Sequence, residues 1–60
     1  MSKYSDQQKY EAAMREVRFR QRVYARRVAA KKMTKEQADR EIAVMVEIAE
    51  DYRVKSELPL

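Results

Sequence analysis

No glycine occurs in this chain of 60 residues, and its one proline is Pro59. Glycine supplies the left-handed conformations that tight hairpins and bulges need, so a chain without it is a poor candidate for a β-fold. Its content of Ala, Glu, Lys, Arg, Gln and Met argues for helix. Length adds a second constraint. A chain this short buries only about 60% of its unfolded surface, so a single core is marginal and needs a staple. Cysteine and histidine are both absent. That excludes disulfides, zinc-finger sites and redox motifs, which leaves oligomerisation as the staple. The absence of cysteine also fits a reducing compartment.

Two helix starts can be read. Ser5-Asp6-Gln7-Gln8 matches a capping box, with Ser5 as N-cap and Gln8 at the third helical position, and Thr34-Lys35-Glu36-Gln37 matches it again. These predict a first helix over about 6–30, a turn at 31–33, a second helix over about 35–53 and a loose tail at 54–60. The whole reads as one domain without repeats or low-complexity segments. The first helix carries a stripe, Tyr10, Met14, Val17, Gln21, Tyr24 and Val28, whose steps alternate between four and three residues. This is the spacing of a coiled-coil seam, and Gln21 within it is the type of polar interruption that sets register. The second helix carries a matching stripe, Ala38, Ile42, Met45, Ala49 and Tyr52, with Val46 and Ile48 beside it. A short turn makes the two helices antiparallel neighbours, with small Ala38 and Ala49 facing bulkier residues such as Tyr24, Tyr10 or Met14.

Apolar residues also lie off the seam. At about 100° per residue, Phe19 and Val23 point away from it, with Ala12 and Ala30 on the same far side, and Val44 lies off the stripe of the second helix. Scattered surface apolar groups are normal. A Phe and a Val one turn apart, however, suggest a second buried face, a dimer or partner interface, most simply covered by another copy of the chain. The expected fold class is therefore all-α, an antiparallel two-helix hairpin that dimerises into a four-helix bundle through Phe19 and Val23.

Charge is segregated. Net charge is +4 overall. Residues 9–32 hold nine Lys/Arg against two acids, a balance of +7, and residues 35–53 hold three against six, a balance of −3. One reading is mutual attraction between the helices, with flanking pairs that set their register. The other is that the basic helix faces a partner. Arg15, Arg18, Arg22 and Arg26 form one ridge, and the planar, permanently charged fork of Arg suits phosphates and acidic protein surfaces alike. A polyanion bound there would dissociate steeply with salt. Aromatic interleaving of the type that stacks bases is missing, since Tyr24 belongs to the seam.

Other functions find little support. The serines, Ser2, Ser5 and Ser56, lie near the ends and there is no His or Cys to make a hydrolytic nucleophile–base pair. Without glycine there is no phosphate-cradling loop, and two helices do not enclose a substrate pocket of ordinary size. Glu47, Glu50 and Asp51 read as a solvated acidic face rather than a Mg²⁺ site. The sequence thus predicts a non-enzymatic binding protein with no cofactor and no small-molecule substrate. The longest apolar run, Ile42–Val46, is too short for a membrane span, which takes about 20 residues, and the basic amphipathic first helix has a natural mate in the second rather than in a lipid surface. No signal-peptide core opens the chain, so the expected location is cytoplasmic.

The strings Met14-Arg15-Glu16-Val17, Arg22-Val23-Tyr24-Ala25-Arg26, Val28, Lys32-Met33-Thr34, Ala38-Asp39-Arg40-Glu41-Ile42-Ala43-Val44-Met45 and Ile48-Ala49-Glu50-Asp51-Tyr52 resemble a group of short uncharacterised helical proteins of proteobacterial phages and prophages. The likeness covers Met14 to Tyr52. It implies a small accessory protein in a bacterial cytoplasm that modulates a host or phage protein by direct binding, and it transfers no catalytic or binding residue. DNA or RNA bound by the arginine ridge is the alternative. Members of the group often have Gly in place of Lys31, which suits a left-handed residue closing the first helix. Lys there either bears the cost of that conformation or ends the helix by a different turn.

Overall fold

The computed structural model describes residues 3–57. Two α-helices, α1 (Asp6–Ala29) and α2 (Lys35–Glu57), pack side by side as an antiparallel hairpin, and there is no strand among the described residues. Both capping boxes close. The Gln8 amide donates to Ser5 Oγ at 3.0 Å and the Ser5 amide to Gln8 Oε1 at 2.8 Å. At α2 the Gln37 amide donates to Thr34 Oγ1 and the Thr34 amide to Gln37 Oε1, both at 3.1 Å. Each box satisfies donors that a helix start leaves free. Met33, just before the second cap, is half-buried, and Ala38, one turn into α2, is buried; these are the two positions of a hydrophobic staple.

The turn answers the question posed by Lys31. Its φ is 61°, so the left-handed conformation is adopted without glycine. The Lys32 amide donates to Arg27 O at 2.8 Å and the Lys31 amide to Val28 O at 3.0 Å. These are the paired bonds of a Schellman closure. A residue with a Cβ pays roughly 1 kcal/mol for this conformation, which the two satisfied carbonyls offset.

The far end departs from expectation. α2 continues to Glu57, so residues 54–57 are helix rather than loose tail; residues 58–60 of that expected tail lie outside the described residues. The cause is local. Arg53 donates to Glu50 through two nitrogens and to both Glu57 oxygens at 2.9 Å, and Ser56 Oγ donates to Arg53 O at 2.7 Å. Pairs three and four residues apart brace this last turn.

The seam needs one correction. Its fully buried residues are Ala13, Val17, Ala38 and Ala49, while Tyr10, Met14, Tyr24, Val28, Ile42, Met45 and Tyr52 are half-buried around them. Gln21 is not in the seam but exposed on one flank. At about 100° per residue, Met14 and Gln21 both lie toward the same flank of Val17, and of the two the polar Gln21 is the one left exposed. Ala13 lies nearer the contact line than Met14 does. Two cross-helix contacts give the register, Lys9 Nζ over the Tyr52 ring at 5.5 Å and Arg20 Nη1 donating to Glu41 O at 2.8 Å. They place the buried Ala13 and Ala49 within one residue of the same level, where side chains of one methyl each let the backbones approach closely.

Candidate interaction surfaces

The polar tie expected of Gln21 is made by its neighbour. Arg20 keeps only 22% of its side-chain surface, donates to Glu16 Oε1 at 3.0 Å and reaches across to the Glu41 backbone, with the Glu41 carboxylate 4.0 Å away. Its guanidinium lies 6.0 Å from the Tyr24 ring centroid, and Arg27 covers the same ring at 5.5 Å. The hydrogen bond to Glu16 is the largest influence raising the Arg20 pKa above its ordinary value. Arg20 was hidden in a run of arginines. The signal that singles it out is Glu16 four residues earlier combined with Val17 three residues earlier, which together put a paired Arg at the edge of the seam.

The arginine ridge stands where the helix period puts it. Arg15, Arg18, Arg22 and Arg26 are all exposed and lie on the side of α1 turned away from α2. Among the described residues, none of the four makes an ion pair within 4.0 Å; the pairs that exist are Glu16–Arg20, Arg20–Glu41, Lys35–Asp39, Glu50–Arg53 and Arg53–Glu57. Only Arg20–Glu41 crosses between helices. Direct ion pairing between the two helices is therefore confined to this one contact among the described residues, and the charge of the ridge is left facing outward.

Phe19 and Val23 fare differently. Phe19 is 47% exposed, whereas Val23 is half-buried beside the interface. On the same flank α2 contributes Val44 at 46% and Ile48 at 39% exposure. The guanidinium of Arg22 sits 6.0 Å from the Phe19 ring centroid, so the ridge and the apolar flank form one continuous surface. A cation over an aromatic face at this distance contributes about 0.5–1 kcal/mol when exposed and more once water is excluded.

The opposite flank is an open groove lined by Gln21, Ala25, Val28, Ala38 and Ile42, with Lys35 and Asp39 at its rim. Val46 is exposed further along it. Here the charges are satisfied within α2: Lys35 Nζ bonds Asp39 at 2.9 Å and Arg53 holds Glu50 and Glu57. The bond from Arg53 pulls the Glu50 carboxyl below its ordinary pKa. Glu47, Glu50 and Asp51 are exposed, and the described residues contain no group of three acidic side chains placed to hold a metal ion. None of the described helices is long and apolar enough to cross a membrane. No protein-family model, curated protein or solved structure matches this chain.

Proposed function

We propose that this chain is a non-enzymatic binding module: a self-associating helical hairpin whose arginine ridge docks on an acidic protein surface. One observation carries the reading. The hairpin fully buries only three alanines and a valine, while Phe19, Val44, Val46 and Ile48 remain exposed. A core that small is marginal for an isolated chain, and the unburied apolar flank is the material for a second interface. Phe19 and Val23 lie in the dimer contact, giving a four-helix bundle, and Arg15, Arg18, Arg22 and Arg26 stand on its rim. The resemblance to short phage-encoded proteins implies a host or phage protein in a bacterial cytoplasm as the docking target.

Sedimentation of the purified chain tests self-association. The expected result is a dimer at micromolar concentration, and Phe19→Glu is expected to dissociate or unfold it. A folded monomer would overturn the reading. Docking is tested by comparing proteins retained by the wild-type chain and by the Arg15→Ala, Arg22→Ala double variant. A partner held equally well by both removes the ridge from the account.

A second reading has its own observation. Among the described residues the four ridge arginines have no carboxylate partner within 4.0 Å, and they span about 16 Å of α1, at about 1.5 Å per residue. A row of unneutralised guanidiniums is also what a nucleic-acid backbone requires, and such binding weakens steeply with salt. Titration with duplex and single-stranded oligonucleotides at low and moderate salt decides. Absence of binding at low salt removes this reading, as does binding that survives the double alanine variant.

A further inference from the structure

We infer that the second copy docks in one particular orientation, with both turns at the same end, so that α1 of each chain rests on α2 of the other. The inference rests on the self-association proposed above and chooses between the two ways identical flanks can meet. A symmetric pair joined flank to flank has its two-fold axis either along the helices or across them. The first arrangement sets α1 on the other copy's α2. The second sets α1 on α1 and α2 on α2, with the turns at opposite ends.

The flank itself is selected by what already occupies each side. On the Gln21 side, the rim charges of α2 are engaged in Lys35–Asp39 and Glu50–Arg53–Glu57 pairs, and Gln21 lies in the groove. On the Arg20 side, Ala12, Phe19 and Val23 of α1 and Val44 and Ile48 of α2 form an apolar patch, of which only Val23 is half-buried.

Levels along the hairpin then distinguish the orientations. Lys9 meets Tyr52 and Arg20 meets Glu41, contacts eleven positions apart on each helix, so the register is constant over this length. It places Ile48 level with Ala12 and Ala13, and Val44 level with Val17. A two-fold axis along the helices preserves level. It carries Ile48 of one copy onto Ala12 of the other and sets Val44 beside Phe19, so large residues meet small or offset ones. It also places the basic segment, balance +7, against the acidic one, balance −3. The crossed arrangement reverses level. When the Ala12–Phe19–Val23 strip is centred on its own copy, Lys9 of one chain falls on Arg26 of the other, and symmetry repeats the clash at the far end. It also brings two +7 segments together. Like charges across an interface select against an orientation more effectively than exposed pairs reward one.

The chain has no cysteine, so Lys32→Cys places one spin label on each turn. Lys32 is exposed, and its closing bond to Arg27 uses the backbone alone. Dipolar spectroscopy and sedimentation are run on the same labelled sample. Same-end docking gives a label separation under about 30 Å, because neighbouring helix axes lie about 10 Å apart and the label arms add the rest. A dimer whose labels stand near the full 46 Å length of the hairpin overturns the orientation and leaves self-association intact. A folded monomer overturns both.

Discussion

Arg20 and Gln21 are adjacent in sequence and lie on opposite flanks of the hairpin. Arg20 is drawn in, tied to Glu16 on its own helix and to the Glu41 backbone on the other, and its flank carries the exposed Phe19, Val44 and Ile48. Gln21 is exposed beside an open groove whose charged rim is satisfied within α2. One step of about 100° separates a residue that fixes how the two helices meet from one that does not. Composition is thus a poor guide to the role of a flank. The side with the interhelical tie is also the side with unfinished apolar business, while the side with more local ion pairs is closer to complete.

That contrast can be broken most directly by placing the same charge on both flanks. Phe19→Glu is expected to abolish the dimer at micromolar concentration, and Val46→Glu to leave it in place with stability changed by about 0.5 kcal/mol or less. Sedimentation and urea unfolding read both, and equal effects would erase the distinction between the sides. Next in size is the tie. Arg20→Ala should cost about 1 kcal/mol in urea unfolding, since it removes a charge-assisted bond that is only partly screened. Gln21→Ala should be neutral within about 0.5 kcal/mol. A loss at Gln21 equal to that at Arg20 would return the polar role to the seam position.

A smaller change tests whether the turn takes sides. Lys31→Gly should stabilise the hairpin by about 0.5–1 kcal/mol, because glycine reaches positive φ without a Cβ clash. The gap between the Phe19→Glu and Val46→Glu backgrounds should be unchanged by it. The smallest effect is acidic. The Glu50 carboxyl has its pKa lowered by Arg53, so its stabilising bond is present above the ordinary glutamate range and is lost as pH falls through the depressed value. Protection of the amides over residues 54–57, taken relative to intrinsic exchange, should fall there.

Much of this fold can be read from spacing alone. Ser5 with Gln8 and Thr34 with Gln37 announce both helix starts, because a capping box needs two residue types at a fixed separation and nothing distant. The seam of α2 is likewise plain, since Ala38, Ile42, Met45, Ala49 and Tyr52 include its buried and half-buried positions. What stays hidden depends on where around the helix the contact line falls or on competition between local forces. In α1 the stripe selects Met14 and Gln21, where the helix uses Ala13 and Arg20. Near the end of α2, the last residues read as a loose tail because chain ends usually fray, yet Arg53 braces the turn up to Glu57. The exposed state of the ridge follows from period. The contact between Arg22 and Phe19 that joins ridge to flank depends on side-chain rotamers, which spacing does not encode.

The two reciprocal caps have a kinetic consequence. Each is built from four consecutive residues, so either helix can nucleate while the chain is still open, and the segment joining them is only a few residues long. Contacts this local put the hairpin among fast-folding topologies, with relaxation expected in the microsecond to millisecond range. At low concentration, the association proposed above would then be the slower event.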